Sequence, residues 1–231
     1  MSADDGRAGR IVEVFSSLQG EGLYLGQRHA FVRLAGCNLA CRYCDTSRSA
    51  GQSWSLRRLQ AELSGVLQRR RHHAVSWTGG EPLLQEAFVT SMMGWVRRQG
   101  MKNYLETNGT LPASFQKASR LCDMVAMDIK LPSATGRQLW SRHLEFLRLA
   151  PKRTFVKVVL TRRTTKAEWR QVIRLMQEAS PVIPLVLQPA TARNGEEPAR
   201  IRDVVLYFRQ ASALLKDVRL IPQWHPVWGV P

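Results

Sequence analysis

The chain has 231 residues, 44% of them hydrophobic, and carries 34 Lys and Arg against 18 Asp and Glu. This length and composition predict one domain, over residues 1–231, with a sizeable hydrophobic core. No apolar run approaches the roughly 18 residues of a membrane span, and the first residues lack the apolar core of a secretory signal. We therefore expect a cytoplasmic protein without a membrane anchor.

The formal charge of +16 raises the question of a nucleic-acid partner. The basic residues are scattered through the predicted helices, and the one tight run, Arg69–His73, ends a helical stretch where cations oppose the negative end of the helix dipole. Aromatic residues are not interleaved with them as stacking platforms would be. A solvated basic surface is preferred over a nucleic-acid site, and it would also favour small anionic substrates.

The first predicted strand, Ile11–Phe15, runs into the glycine-punctuated turn Ser16–Gly22. Glycines let backbone amides approach a ligand closely, while Gln19 and Glu21 add an amide and a carboxylate that can read the donor edge of a flat heterocycle. A plain surface turn is the alternative. The next strand delivers Arg33, whose guanidinium could hold a carboxylate bidentately or could simply lie at the surface.

Cys37, Cys41 and Cys44 are separated by three and then two residues, with an aromatic residue before the last cysteine. Three thiolates at this spacing predict a [4Fe–4S] cluster whose fourth iron has no protein ligand. A zinc site is the alternative, but zinc knuckles need four ligands, and no second Cys or His pair follows. Cys122 lies in an apolar stretch, which favours a buried thiol over a ligand.

The motif Thr78-Gly79-Gly80-Glu81-Pro82 follows a short predicted strand. Two glycines and a carboxylate at the end of a strand suit a bound zwitterion, because backbone carbonyls and Glu81 can accept hydrogen bonds from its ammonium group. The motif by itself is only moderately specific, and its position downstream of the cysteines strengthens it.

Helical and strand patterns alternate through the rest of the chain. They predict helices over 56–71, 84–98, 112–119, 137–149, 166–179 and 198–215, and strands over 74–77, 103–106, 124–129, 155–160 and 183–187. Roughly six such units predict an α/β fold with a parallel sheet and outer helices, which curls like part of a TIM barrel as a partial (β/α)6 barrel. Functional residues should then lie at the carboxyl ends of the strands.

Polar residues stand where the apolar strands stop, and these are Glu81, Asn108, Asp128, Lys130 and Gln188. Taken singly, Asp128 and Lys130 could be a solvent-exposed pair, and Glu106 could be a charge that only supports the site. The recurrence of polar residues at successive strand ends favours the functional interpretation.

The final stretch, 218–231, stays apolar and aromatic up to the last residue. Its two tryptophans and three prolines predict a rigid, docked tail in which the terminal carboxylate of Pro231 is fixed in place. His225 is expected to pack or to form a hydrogen bond rather than to bind a metal, because no partner ligand lies near it in sequence.

The cysteine spacing and the Thr78–Pro82 motif together resemble the radical S-adenosylmethionine (AdoMet, or SAM) superfamily, in which AdoMet chelates the open iron. A wider set of motifs resembles the 7-carboxy-7-deazaguanine synthase family. The set consists of Leu18–Gly22, Phe31–Leu34, Cys44–Thr46, Thr78–Pro82, Glu106–Gly109, and the ending that contains Gln223, His225, Gly229 and Pro231. The resemblance implies radical ring contraction of 6-carboxy-5,6,7,8-tetrahydropterin to 7-carboxy-7-deazaguanine with loss of ammonia, on the 7-deazapurine route to queuosine.

The same resemblance implies the cofactors and the site residues. It implies a homodimer with a [4Fe–4S] cluster, AdoMet and Mg²⁺, reduced by a flavodoxin or a ferredoxin-type protein. The cluster would be bound by Cys37, Cys41 and Cys44, and Mg²⁺ by Thr46. The AdoMet contacts would be Gly80, Glu81, Asp128, Ile129, Lys130, Gln188 and Pro189. The pterin contacts would be Leu18, Gln19, Gly20, Glu21, Arg33, Thr78 and Pro231.

In the implied reaction, the AdoMet-derived radical removes hydrogen from C6 of the pterin. Arg33 would pair with the pterin carboxylate, and Glu21 would pair with its amino-pyrimidine edge. One departure from the family pattern is the stretch Ala190–Arg193, which replaces the acidic residue expected after Gln188 and Pro189.

Two other functions remain open at this point. The cysteine triplet and the Thr78–Pro82 motif also resemble activases that install a glycyl radical on a partner protein, and pterin-dependent turnover would separate these. A basic, zinc-bearing nucleic-acid module is the non-enzymatic alternative, favoured if the purified protein is colourless and binds RNA with a steep salt dependence.

Overall fold

The computed structural model describes residues 8–44, 49–192 and 195–230. The strands are β1 (Ala8–Leu18), β2 (Arg28–Leu34), β3 (Gln52–Ser55), β4 (Ala74–Gly79), β5 (Asn103–Thr107), β6 (Met124–Asp128), β7 (Thr154–Leu160), β8 (Leu185–Pro189) and β9 (Val218–Leu220). The helices are α1 (Leu56–Arg69), α2 (Glu86–Arg98), α3 (Pro112–Ala118), α4 (Pro132–Thr135), α5 (Trp140–Leu149), α6 (Lys166–Ala179), α7 (Ile201–Ser212) and α8 (His225–Trp228). Short 3-10 helices lie at Gly22–Tyr24, Pro82–Gln85 and Ser119–Leu121.

Within the described ranges, the nine strands form one sheet in the order β3-β1-β2-β4-β5-β6-β7-β8-β9. The strands from β2 to β9 in this order are paired in parallel, and β1 runs antiparallel between β2 and β3. The edge strands β3 and β9 are not neighbours, so this part of the chain forms an open sheet rather than a closed barrel. The predicted α/β fold with an incomplete barrel is confirmed.

Three strands and one helix differ from the prediction. Strand β1 continues to Leu18, so the first three residues of the predicted turn pair with β2 instead. The short strand β3 pairs with the start of β1, and β9, from the stretch predicted as a docked tail, pairs with β8. The helix predicted over 137–149 begins only at Trp140, as α5, and the additional short helix α4 precedes it. The chain leaves α4 at Gly136 with a φ of 69°, a conformation that favours glycine and ends a helix.

The main core lies between the outer face of the sheet and the helices. Alternate strand residues such as Trp77, Leu105 and Val156 are fully buried there against the apolar stripes of the helices. Helix α6 illustrates the local signals: a reciprocal pair of bonds between Thr165 and Glu168 caps its start, and it buries a stripe that begins at Trp169.

The inner face of the sheet changes character along the strands. Near their amino ends it carries a small apolar cluster, here called the lower layer, which consists of Ala74, Tyr104, Met124, Ala126, Phe155 and Val186. Further toward the carboxyl ends, by four residues in β4 and by two in the other strands, it carries the upper layer, which consists of Thr78, Glu106, Asp128, Lys157 and Gln188. Because side chains alternate along a strand, both layers face the same side, and the polar layer lies where ligands bind in such folds.

No helix in the described part of the chain combines the length and the apolarity that a membrane span requires.

Candidate active site

A cavity of about 580 Å³ opens at the carboxyl ends of the parallel strands and joins the upper layer to the cysteine loop. The predicted site residues that line it are Leu18, Gln19, Gly20, Glu21, Arg33, Cys37, Cys41, Cys44, Thr78, Gly80, Asp128, Lys130 and Gln188. The predicted residues Glu81, Ile129 and Pro189 are not among its lining residues. Thr46 and Pro231 lie outside the described residues.

The two glycines of the Thr78–Pro82 motif bring the backbone against the start of the cysteine loop. A Cβ on Gly80 would stand 1.9 Å from the carbonyl oxygen of Gly36, and Glu81 donates its backbone N–H to the same oxygen over 2.8 Å. Gly79 has a φ of 121° and approaches Leu34 equally closely. These glycines are therefore required by close packing next to Cys37, in addition to any contact with a ligand.

Glu81, predicted as an AdoMet contact, is not among the lining residues of the cavity. Its side chain is fully buried and accepts hydrogen bonds from the backbone N–H groups of Leu83 and Asn108 and from the hydroxyl of Thr107. The carboxylate is thus turned away from the cavity, because these donors hold it under the strand ends. Burial raises the pKa of Glu81 to about 7, and the three hydrogen bonds oppose that shift.

Asn108 connects this buried carboxylate to the cysteine loop. Its amide nitrogen donates to the side-chain oxygen of Asn38 over 2.9 Å and lies 3.8 Å from the sulfur of Cys37. The buried ring of His143 donates a hydrogen bond from Nε2 to the backbone carbonyl oxygen of Asn108 over 3.1 Å. Burial lowers the pKa of His143 to about 4, so the ring is neutral at physiological pH and Nε2 carries the donated proton.

The three cysteines of the predicted cluster loop lie at one cavity. Cys37, Cys41 and Cys44 all line it, and the side chains of Cys37 and Cys44 are exposed. Among the described residues, no group of three His, Cys, Asp or Glu side chains converges on a single point. Three thiols that reach one cavity fit the [4Fe–4S] cluster predicted for this loop.

The Cys41 thiol shows the electrostatic balance of this loop. Burial raises its pKa, while the nearby ammonium of Lys130 lowers it. Lys130 also stands 5.3 Å from the centre of the Tyr43 ring. By contrast, Cys122 is buried against the sulfur of Met93, and burial raises its pKa to about 12.

Four buried charges alternate in sign along the upper wall of the cavity. The ammonium of Lys157 donates to Glu21 and lies 3.8 Å from Asp128, and Asp128 in turn accepts from Lys130 over 3.1 Å. Their side chains are between 6% and 19% exposed, so water screens them only weakly. The alternation lets the fold keep all four charges away from bulk water.

Glu106 is hydrogen-bonded to two of the residues predicted to contact the pterin. It accepts a hydrogen bond from the amide of Gln19 over 2.8 Å and from the hydroxyl of Thr78 over 2.7 Å. Burial raises the pKa of this carboxyl, and the nearby Lys157 lowers it. The geometry fits a supporting charge, which was the alternative considered for Glu106, while its place in the cavity lining also allows ligand contact.

Two acceptor oxygens in the cavity wall suit a ligand with hydrogen-bond donors. Among the described residues, Oδ1 of Asp128 and Oε1 of Gln188 are buried without a hydrogen-bond partner. The ammonium of Lys157 lies 3.8 Å from Oδ1 of Asp128, which is an ion-pair distance and not a hydrogen bond. A buried acceptor without a hydrogen bond costs about 1–3 kcal/mol, so a donor from a ligand would stabilise either atom. The ribose hydroxyls and adenine amine of AdoMet are donors of the required kind.

Arg33 stands at the opposite wall, where a stacked pair of aromatic rings lies beneath it. Its Nε donates to Glu13 over 2.6 Å, and its guanidinium carbon stands 5.4 Å from the centre of the Phe15 ring. Phe15 and Phe31 are stacked 5.0 Å apart. A guanidinium group has five N–H donors, so Arg33 can donate to the carboxylate of a ligand while it remains paired with Glu13.

The tail packs against the turn that follows β1. Trp224 donates its backbone N–H to the carbonyl of Gly20 over 2.9 Å, and Gln223 donates its amide to Glu21 over 2.6 Å. A Cβ on Gly20 would stand 2.6 Å from that of His225, which explains the glycine. The tail therefore forms one wall of the cavity as far as Val230.

Sequence reasoning missed Lys157 and Glu13 as residues of this site. For Lys157 a signal was present: it is a single lysine inside the otherwise apolar strand β7, all of whose residues are buried. A cation in that position needs a buried partner, and a search for one would have pointed to the site. Glu13 had no comparable signal, because polar residues are expected at alternate positions of its strand. Its partner Arg33 is identified only by the register in which β1 pairs with β2.

Comparison with known proteins places this geometry in a family. The Radical SAM superfamily pattern matches residues 31–197. The chain is 36% identical to the 7-carboxy-7-deazaguanine synthase of Geobacter sulfurreducens over 95% of this chain and 96% of that protein. It is 34% identical to the synthase of the same name from Methanothermobacter thermautotrophicus over 95% and 97%. The solved structure of QueE from Escherichia coli superposes with a TM-score of 0.66 at 20% identity, covering 95% and 96% of the two chains.

The fold and the cysteine loop thus define a radical SAM enzyme, for which the superfamily implies a [4Fe–4S] cluster and SAM. A radical SAM methyltransferase from Sphaerobacter thermophilus has the same fold, with a TM-score of 0.69 at 12% identity over 96% of this chain and 75% of its own. Within the superfamily, the identities over nearly the whole chain decide the assignment. The chain belongs to the 7-carboxy-7-deazaguanine synthase family.

Proposed function

We propose that the chain converts 6-carboxy-5,6,7,8-tetrahydropterin to 7-carboxy-7-deazaguanine with loss of ammonia, in 7-deazapurine (queuosine) biosynthesis. The observation that carries this proposal is the single cavity in which the three cysteines face a wall of hydrogen-bonding groups suited to a flat, acidic heterocycle. Its volume of about 580 Å³ is of the size that binds small molecules.

The residues divide the cavity between two ligands. Cys37, Cys41 and Cys44 would hold the cluster, which together with AdoMet supplies a hydrogen-abstracting radical when both are bound. The acceptor oxygens of Asp128 and Gln188 would bind AdoMet, with Gly80, Ile129, Lys130 and Pro189 in the surrounding backbone. Glu81 would act indirectly, because its carboxylate fixes the backbone of Asn108 beside the cysteine loop.

On the other side, Arg33 would bind the pterin carboxylate, and the stacked ring of Phe31 would lie against the flat heterocycle. Glu21 would accept from the amino-pyrimidine edge, and the Leu18–Gly20 turn and Thr78 would complete the pocket. Contacts at both the carboxylate and the amino-pyrimidine edge would fix the position of C6 relative to the AdoMet site. Such positioning lowers the activation free energy of hydrogen abstraction, because less orientational freedom is lost in the reaction step.

Several finer points extend this proposal. Thr46 would ligate Mg²⁺, a hard cation that prefers oxygen ligands and shares them with its substrate. Pro231 would contact the pterin, since it follows Val230, which lines the cavity. We also propose a cytoplasmic homodimer, organised as a single domain with the N-terminal turn and the docked tail, that receives electrons from a flavodoxin or ferredoxin-type protein.

The decisive experiment is anaerobic turnover. Protein loaded with iron and sulfide, AdoMet, Mg²⁺ and a chemical reductant is supplied with the tetrahydropterin, and the products are identified by mass spectrometry. We expect 7-carboxy-7-deazaguanine and stoichiometric ammonia. AdoMet cleavage without conversion of the pterin would refute the proposal and favour the activase alternative.

The metal proposal has its own test. Thr46→Ala should weaken the dependence of the rate on Mg²⁺ concentration, whereas Thr46→Ser keeps the hydroxyl and should behave like the parent protein. An unchanged metal response in Thr46→Ala would remove this residue from the metal site.

A further inference from the structure

Lys157 occupies the centre of the upper layer. It lies in β7, all of whose residues are buried, and its side chain points to the inner face between Phe155 and Val159. The residue is 5% exposed and lines the cavity. A lysine at such a position loses its hydration and keeps its charge only through its partners.

The partners of Lys157 come from three strands or turns. Its ammonium donates to Oε2 of Glu21 and lies 3.8 Å from Oδ1 of Asp128. Burial would lower the pKa of Lys157, but Asp128, Glu21 and Glu106 outweigh burial and hold it well above its usual value. Lys157 therefore stays an ammonium group at physiological pH, able to donate hydrogen bonds and unable to act as a base.

Lys157 and Glu21 together present an ordered row of hydrogen-bonding atoms. The row runs from the ammonium of Lys157, a donor, to Oε2 and then Oε1 of Glu21, both acceptors. Gln223 holds the far oxygen from the other side by donating to Oε1 over 2.6 Å. A carboxylate has about four acceptor positions, so these bonds are compatible with donors from a ligand.

The complementary edge is an acceptor followed by two donors. A 2-amino-4-oxopyrimidine ring has this order, because its 4-oxo group accepts while N3–H and the 2-amino group donate. We propose that Lys157 and Glu21 form one recognition unit for this edge, in which Glu21 binds N3–H and the 2-amino group and Lys157 donates to the 4-oxo group. Lys157 is thereby a specificity-determining residue for the substrate, and this inference rests on the proposed function.

The consequence is selectivity at one atom of the ligand. A site built to donate a hydrogen bond from a buried cation rejects a ligand without a good acceptor, because the cation then stays unpaired. A lysine that served only to neutralise the three carboxylates would stabilise the pocket for every ligand alike. A double-mutant cycle, in which the 4-oxo oxygen of the ligand and Lys157 are each changed alone and then together, distinguishes recognition of the ligand from neutralisation of the carboxylates.

The test uses 6-carboxypterin and its 4-thioxo analogue, in which sulfur, a weaker acceptor, replaces the 4-oxo oxygen while the donors are kept. Binding to the cluster-loaded protein is measured by anaerobic calorimetry at neutral pH. We expect the parent protein to prefer the oxo compound by about tenfold, the range of a hydrogen bond to a charged group. In Lys157→Met the preference should fall to within about twofold.

The matched control is Lys152→Met, an exposed lysine just before the same strand, which should keep the parent preference. Equal affinity of the parent protein for the two ligands would overturn the inference, and this measurement needs no variant to fold. An undiminished preference in folded Lys157→Met would also overturn it. If the parent protein bound neither compound, the proposed function itself would fail.

Discussion

The lower and upper layers of the inner sheet face hold ionisable groups in opposite charge states. All residues of the lower layer are buried, whereas Glu106 and Asp128 of the upper layer are partly exposed. Beside the lower layer, His29 is fully buried, shares a 2.7 Å hydrogen bond with Ser76 and stacks 5.7 Å from His73. Burial and the neighbouring histidines lower the pKa of His29 to about 4, so the ring stays neutral. In the upper layer, Lys157 stays charged among carboxylates.

The difference shows what decides the ionisation of a buried group. Burial penalises a charge in both layers, and only the upper layer supplies opposite charges within about 4 Å. A fold that needed only stability could have made both layers neutral, since replacing buried ion pairs with apolar residues is often neutral or stabilising. Retention of the charges at the mouth of the cavity is therefore a mark of ligand binding.

The largest expected effect comes from the cysteine loop above the upper layer. Cys41→Ala removes one of the three cluster ligands, and we expect loss of cluster iron and of all 5′-deoxyadenosine formation. Iron and sulfide analysis after anaerobic reconstitution, together with chromatography of AdoMet products, measures both.

The fourth cysteine provides the control. Cys122→Ala should keep its iron and its AdoMet cleavage, because that thiol is buried in the outer core away from the cavity. Iron retained by Cys41→Ala at the parent level would contradict the cluster assignment.

The next effect compares the two layers along one strand. Lys157→Met leaves the carboxylates around it without their shared cation and should lower the free energy of unfolding by ~3–5 kcal/mol. Phe155→Leu in the lower layer changes only apolar packing and should cost about 1 kcal/mol. Urea unfolding of both variants at neutral pH gives the two values.

The same pair of variants should differ in pH dependence. The deficit of Lys157→Met should shrink as the pH falls, because protonation removes the unpaired negative charges. A deficit no larger than that of Phe155→Leu would mean that the upper charges are hydrated and do not depend on one another.

The smallest effect concerns the histidine beside the lower layer. The pKa of His29 falls from 6.5 to about 4 on folding, so the unfolded chain binds a proton between these values and the folded protein does not. Stability is then complete above pH 6.5 and is lost as the pH falls toward 4, by at most ~3 kcal/mol. Unfolding titrations at several pH values measure this slope.

His29→Gln should flatten that slope. The contribution of His143, whose pKa also falls to about 4, remains in the variant, as does the opposite contribution of Glu81, whose pKa rises to about 7. An unchanged slope in the variant would show that His29 is already protonated in the folded protein.

Sequence patterns predicted the fold class, and together with the family resemblance they predicted part of the cavity lining, because these signals are local. The helix predicted over 166–179 coincides with α6, where an apolar stripe and a capping pair lie in consecutive turns. The cysteine spacing likewise brings three thiols to one loop without help from the rest of the chain. Strands β3 and β9 were missed because each has only a few residues and owes its structure to a neighbouring strand.

Glu81 shows the limit of motif reasoning. Its position after two glycines at a strand end predicted a ligand contact, and the motif does lie beside the cysteine loop. The direction of its side chain depends on donors from Thr107 and Asn108, which reach it from the next strand. A motif fixes the place of the backbone, and the neighbouring strand decides where the carboxylate points.

By itself, the sequence determined the cysteine loop, the glycine pair beside it and the alternation of strands and helices, because each depends on residues close together in the chain. Only the tertiary structure decided that Lys157 meets Glu21, which is 136 residues away, and that Asp128 lies beside both. Such a meeting depends on the order and register of parallel strands, which long-range packing sets. The charges that select the ligand are therefore visible only once the sheet is assembled.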